Sequence, residues 1–387
     1  MAAGTCICTR RIDSIEVIEL NIRKSSVFLY SACMIVLILD TRTAIHGAAE
    51  GIAICIKSLI PSLFPFFIFS ALLTASLAGQ PIKLLRPIAK ICRIPKGVES
   101  LLAIGFLGGY PVGAQNVAFS WKKDYLNTDD ALRMVAFCSN AGPAFIFGFL
   151  GQMFDQPVMP WILWMIHILS ALIVGFLLPG GSENPTNIPN AKGITLSDAM
   201  DSSLMVMGRV CGWVILFRIL LEFLKTWIFW RFPVTVQVFI TGILDLSNGC
   251  LMLQSLPSNG LRLILASTFL GFGGICVFLQ TRSITQGLSL SLYLPGKLLQ
   301  GTISFLLSYV AQTFLIAHNS VHFSPYLVGI VFLSTVLSAV ILRKIEKPVA
   351  FFRELLYNVK SCEKRRTQCC FGRKSNVPAP TASTVPN

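Results

Sequence analysis

GFLGGYPVGAQNVAFSW (residues 105–121), a short charged turn and ALRMVAFCSNAGPAFIFGFLG (131–151) form a stretch apolar enough for a bilayer. Each segment is nevertheless interrupted by helix-breaking residues, at Gly108-Gly109-Tyr110-Pro111 and at Ser139-Asn140-Ala141-Gly142-Pro143. In hydrocarbon every freed backbone N–H and C=O needs a partner, so unwound backbone survives there only inside protein or beside a water-filled cavity. Transporters place their substrate sites at discontinuous helices of this kind.

A weaker copy follows about 130 residues later. ITGILDLSNGCLML (240–253) precedes LRLILASTFLGFGGICVFLQT (261–281), again a polar and glycine break followed by an apolar helix with a glycine cluster. The pairing sets Gly109-Tyr110-Pro111 against Ser247-Asn248-Gly249, and Asn140-Gly142-Pro143 against Gly271-Gly273-Gly274. The chain then reads as two repeat-like halves.

Outward from these segments the composition agrees. The 387 residues are 54% hydrophobic and 13% charged, with mean hydropathy +0.69, which is too apolar for a soluble domain and fits an all-α polytopic membrane protein. The formal charge of +14 is carried by groups that flank apolar runs: ten Lys and Arg between Arg343 and Lys374, five between Lys83 and Lys96, four between Arg10 and Lys24. That distribution follows the positive-inside rule and explains the basic balance without nucleic acid. The twelve cysteines include no C-x-x-C pair, so neither a disulfide framework nor a zinc site is read. His318 and His322 have a metal-compatible spacing but no nearby acid. Nucleotide-binding and hydrolase motifs are missing, so neither enzyme chemistry nor any cofactor is expected.

Taken in order, residues 1–24 read as a cytoplasmic segment and 25–178 as the first transmembrane half, with broken helices over 98–154. Within that half, 25–39 is a first span, 43–59 an interfacial or re-entrant helix, and Pro61 and Pro65 kink the start of a second span. Residues 179–195 form an outer polar linker, 196–342 the second half with broken helices over 234–281, and 343–387 a basic cytoplasmic tail that could lie on anionic lipid. If both broken pairs cross, the chain makes ten spans; if they dip and return, six remain. Both termini are inside either way.

Asp245 is the strongest single candidate: an acid within an apolar segment costs on the order of 2.5–3.5 kcal/mol to insert and needs a partner, a proton or a cavity. A helix-cap role is the structural alternative. Arg209, Arg218 and Lys297 are its candidate charge partners, and Arg218 can also pair with Glu222 at i,i+4. Asn140 and Gly142 stand where a half-helix begins, and Tyr110, Gln115, Ser247, Asn248 and Gln280 add hydrogen-bonding groups near the other breaks. These residues constitute the candidate substrate-binding set for a small molecule.

IPSLFPFFIFSALL (60–73), GFLGGYPVGAQ (105–115), SNAGPAFIFGFLG (139–151) and GFGGICVFLQT (271–281), in that order, resemble the YlbJ-type sporulation integral membrane proteins. These carry the nucleoside-recognition, or gate, domain also found in concentrative nucleoside transporters. The similarity spans roughly residues 25–342. It implies a role in endospore formation, with movement of dipicolinate across the outer forespore membrane as the activity. The family usually has Lys where this chain has Gln115, and Glu where it has Asp245. A cation for an anionic substrate then falls to Arg209, Arg218 or Lys297. Two hypotheses emerge: a secondary transporter with its site between the broken pairs, or a membrane scaffold whose glycine-rich breaks are packing sites. No residue pattern sets the oligomeric state.

Overall fold

The computed structural model describes residues 27–77, 82–181 and 193–315, and every regular element among them is a helix. The segment 1–24, most of the 179–195 linker, His318, His322, the last expected span and the basic tail lie outside the described residues.

Helix α1 (Val27–Leu39) ends at Asp40, whose carboxylate accepts from the Thr43 amide at 3.2 Å and so caps α2 (Thr41–Ile54). The interfacial helix expected over 43–59 is instead the first half of one 37-residue apolar helix, Thr41–Leu77. A π turn at Cys55–Leu59, in which the Ile60 amide reaches back to the Cys55 carbonyl, joins α2 to α3 (Ile60–Leu77). That local adjustment accommodates the prolines at 61 and 65, which have no N–H to give. Gly47 and Gly51, four residues apart, press α2 antiparallel against α9 (Leu196–Trp227). A Cβ on them would stand 2.8 Å from the Ile219 Cα and 2.9 Å from the Ile215 Cα.

The two broken pairs share one design. Helices α5 (Ser100–Leu107) and α6 (Val112–Lys122) fold back on one another about the tip 108–111. A Cβ on Gly113 would lie 3.1 Å from the Gly105 Cα, whereas residues eight apart in a straight helix are about 12 Å apart. The same two glycines close on the carbonyl of Cys138, at the end of α7 (Thr128–Cys138). After the unwound 139–143, the chain resumes as a π turn, Ala144–Phe149. In the second pair, α10 (Val234–Leu244) and α11 (Leu246–Met252) likewise form a hairpin, with Gly249 against the backbone of Gly242. Helix α12 (Asn259–Phe272) then breaks at Gly273, φ +84°, and continues as α13 (Gly274–Ile284).

Each pair is therefore a helical hairpin followed by a broken helix. The ten-crossing count counts both hairpins as spans, whereas each returns on itself. By length and composition, four described helices can cross a membrane: Thr41–Leu77, α8 (Met159–Leu177), α9 and the α12–α13 unit Asn259–Ile284. The expected second break at Ser247-Asn248-Gly249 also shifts: the chain unwinds at Asp245 alone, and those three residues form the first turn and middle of α11.

Helix α14 (Tyr293–Leu315) shows how the environment sorts side chains. Lys297, Gln300, Ser304, Ser308 and Gln312 recur every three or four residues and are buried, while Leu306, Tyr309 and Val310 are 53%, 41% and 50% exposed. Polar inside and apolar outside inverts the pattern of a soluble helix and suits a lipid surround. Nearby, buried Arg133 spreads its guanidinium over the carbonyls of Cys92, Arg93, Gly175 and Leu178. It thereby satisfies the C-terminal carbonyls of α4 (Arg86–Ile91) and α8.

Candidate functional site

The breaks converge. A Cβ on Gly142 would stand 2.9 Å from the Gly109 Cα, so the first hairpin tip touches the first helix break backbone to backbone. A Cβ on Gly274 would stand 3.2 Å from the Leu246 amide nitrogen, so the second hairpin tip meets the second break. The two pairs join where the Tyr110 hydroxyl donates to the Leu270 carbonyl at 3.3 Å, beside Gly273. Between them lies a cavity of about 50 Å³, with walls from the 108–110 tip, Ala141 and Gly142, Asp245 to Ser247, and Gln280. Phe66, Phe67 and Phe145 complete its aromatic side. A cavity of that size holds about three or four waters.

Asp245 is the charged residue of this lining. It is the N-cap of α11: its Oδ2 accepts from the Asn248 backbone amide at 2.8 Å and from Asn248 Nδ2 at 2.7 Å. The cap and the cavity wall are thus the same carboxylate. Asn248 Oδ1 in turn accepts from Arg218 Nη1 at 3.4 Å, and Arg218 Nη2 lies 3.8 Å from both Glu50 and Glu222. His46 and Lys225 complete that cluster, each 3.4 Å from Glu222. A cation one amide away compensates the buried acid, and the i,i+4 pairing of Arg218 with Glu222 holds as well.

A second polar centre lies on the other side of Tyr110. Lys297 is fully buried, and its three ammonium donors go to the Ser139 carbonyl, to Gln300 Oε1 at 2.8 Å and to Asn140 Oδ1 at 3.3 Å. Gln300 Nε2 also donates to Asn140 Oδ1, at 3.0 Å. The ammonium sits 5.3 Å from the Tyr110 ring centroid and 5.9 Å from that of Tyr293. It stands at the C-terminal end of α7, where unwinding leaves carbonyls to satisfy and the helix dipole favours a cation. His167 Nε2 accepts from the Ala141 amide at 3.0 Å, which places the imidazole proton on Nδ1; that atom is buried without a partner.

Of the expected site residues, Tyr110, Gly142, Asp245, Ser247 and Gln280 line the cavity, and Asn140 and Asn248 stand directly behind it. Gln115 faces outward from α6 because three residues of helix turn it away from the tip, and Arg209 is exposed on α9. Neither joins the site. Lys297 lies in the first turns of α14, and its partners are Asn140 and Gln300 rather than Asp245. Gln300 and His167 were not anticipated. The stripe of polar residues on α14 is the signal that could have found Gln300; His167, alone in an apolar helix, gives none.

The chain is 24% identical over 324 residues to the sporulation integral membrane protein YlbJ of Bacillus subtilis (strain 168), a match that covers 72% of this chain and 79% of that protein. No protein-family model matches the chain, and no solved structure does. This similarity, together with several apolar helices able to cross a bilayer, marks an integral membrane protein that resembles YlbJ.

Proposed function

We propose that the chain is a secondary transporter of a small polar or anionic metabolite, acting in spore formation, with dipicolinate as the substrate that the family resemblance implies. One observation carries the reading: two hairpin tips and two helix breaks meet around a cavity that has a buried carboxylate in its wall. Unwound backbone packed against unwound backbone can rearrange by moving one pair against the other, which is the motion alternating access requires. Unpartnered buried atoms at His167, Thr241 and Ser70, the last beside Gly108, border the same breaks and are available to substrate or water in another conformer. Arg218, one amide behind Asp245, compensates its charge, so the site as a whole is near neutral and can receive either a carboxylate or an uncharged polar group.

The nucleoside-recognition reading is supported by the aromatic wall, which suits a planar ring. A scaffold without transport is favoured by the tight glycine packing at the tips and by the small cavity. One experiment separates them: uptake of labelled dipicolinate and of nucleosides into proteoliposomes, wild type beside Asp245→Asn. Asparagine keeps the cap of α11 and removes the charge. Saturable uptake of one class, lost in the variant, supports the carrier and identifies its substrate. No uptake by correctly inserted protein refutes transport of both classes.

A further inference from the structure

The segment 82–98 joins the first long helix to the first hairpin and contains five cations and no acid. Arg86 and Arg93 are used structurally. Arg86 Nη1 lies 2.9 Å from Glu99 Oε1, and Arg93 Nη2 donates to the Phe176 carbonyl at 2.7 Å. Lys83 and Lys90, seven residues apart and so on one face, are exposed. Leu84, Ile88 and Ile91, at i, i+4 and i+7, form the neighbouring face and are 85%, 36% and 61% exposed. A bare apolar face beside a lysine face, directly after a helix long enough to cross a membrane, matches the interface between acyl chains and phosphates.

We infer that this segment is a docking surface for the phosphate headgroups of anionic phospholipid, with Leu84, Ile88 and Ile91 among the acyl chains and Lys83 and Lys90 at the headgroups. Charge complementarity selects the occupant: nothing acidic in 82–98 offsets the two lysines, and zwitterionic lipid would leave both uncompensated. The surface is mechanically tied to the site. Arg86 grips Glu99, whose Oε2 accepts from the Gly97 amide at 2.9 Å, immediately before α5 and the hairpin whose tip lines the cavity. Headgroup binding therefore stiffens the root of that hairpin, whether or not the protein transports.

Native mass spectrometry of the full chain in detergent, titrated with phosphatidylglycerol and separately with phosphatidylcholine, tests this. Wild type is expected to retain phosphatidylglycerol in preference. Removing two interfacial lysines, in Lys83→Gln/Lys90→Gln, is expected to weaken that binding on the order of thirtyfold, about fivefold per lysine. Lys122→Gln/Lys123→Gln, a lysine pair elsewhere, should bind as wild type does, and inorganic phosphate alone should give no adduct at the same concentration. If the double variant fails to elute as folded protein, Lys90→Gln alone is read for its fivefold loss. Equal retention of the two lipids by wild type, or undiminished phosphatidylglycerol binding by the 83/90 variants, overturns the inference.

Discussion

Alanine at Gly142 tests the convergence of hairpin tip and helix break most directly. Its Cβ would stand 2.9 Å from the Gly109 Cα, 3.0 Å from the Gly109 amide nitrogen and 3.3 Å from the Leu107 carbonyl oxygen. All three neighbours are backbone, so no rotamer change relieves the contact. Carbon atoms rest at about 3.5–4.0 Å, so the tip must retreat by roughly 0.5–1 Å. Overpacking of this size costs about 1–3 kcal/mol. Gly208, inside α9, has nothing within 4 Å of its notional Cβ, and Gly→Ala in a helix interior gains about 0.5–1 kcal/mol. The same chemical change should thus carry opposite signs at the two positions, separated by about 1.5–4 kcal/mol. Heating both variants in one detergent and measuring the folded protein that survives on size-exclusion chromatography reads the difference. A Gly142→Ala protein as heat-resistant as Gly208→Ala would refute the backbone contact between tip and break.

Asp245→Asn should melt close to wild type, because asparagine also caps α11, while proteoliposome uptake falls to background; a melting loss matching the uptake loss would reduce Asp245 to its cap. Lys297→Met orphans the Ser139 carbonyl and Gln300 Oε1, at about 1–3 kcal/mol each, but removes an ammonium buried without a carboxylate, a relief of several kcal/mol. Its net effect on thermal stability should lie within about 2 kcal/mol of zero, and outright unfolding during purification would show that the clamp outweighs the charge. Arg133→Lys should destabilise by at least about 2 kcal/mol on the same heating assay, since three donors from one nitrogen cannot reach the carbonyls of both Cys92 and Gly175 alongside Arg93 and Leu178. Wild-type melting of that lysine variant would contradict the guanidinium bridge. Gly51→Ala, with its Cβ 2.9 Å from the Ile215 Cα, should cost about 1–3 kcal/mol by parting α2 from α9, again checked by heating.

How much of this was legible follows from what each residue does locally. Gly108 to Pro111, Ser139 to Pro143 and the Gly273 region break helices by their own backbone chemistry, so an apolar run containing them reveals the break without any partner. Whether the chain then reverses or continues is set by what the next helix packs against. The sequence therefore left crossing and return both open, although glycines on both arms of each tip, 105 with 113 and 242 with 249, are the trace that close reversal leaves. Asp245 was legible as a buried acid because its cost is a property of one side chain. Its role as a cap depends on where α11 begins, at Leu246, ahead of the polar triplet that was read as the break. Lys297 shows the deeper limit. Read singly, it is a lone cation beside an apolar run; read with Gln300, Ser304, Ser308 and Gln312, it opens a polar stripe that an apolar helix can carry only by turning it inward. The stripe says that α14 faces polar groups, but only folding brings Asn140, 157 residues away, within reach of that ammonium. A site assembled from two helix breaks and an inward stripe is therefore legible as two unmet needs, for carbonyls to be satisfied at 139–140 and for a buried cation to be held at 297, and the structure shows that each answers the other.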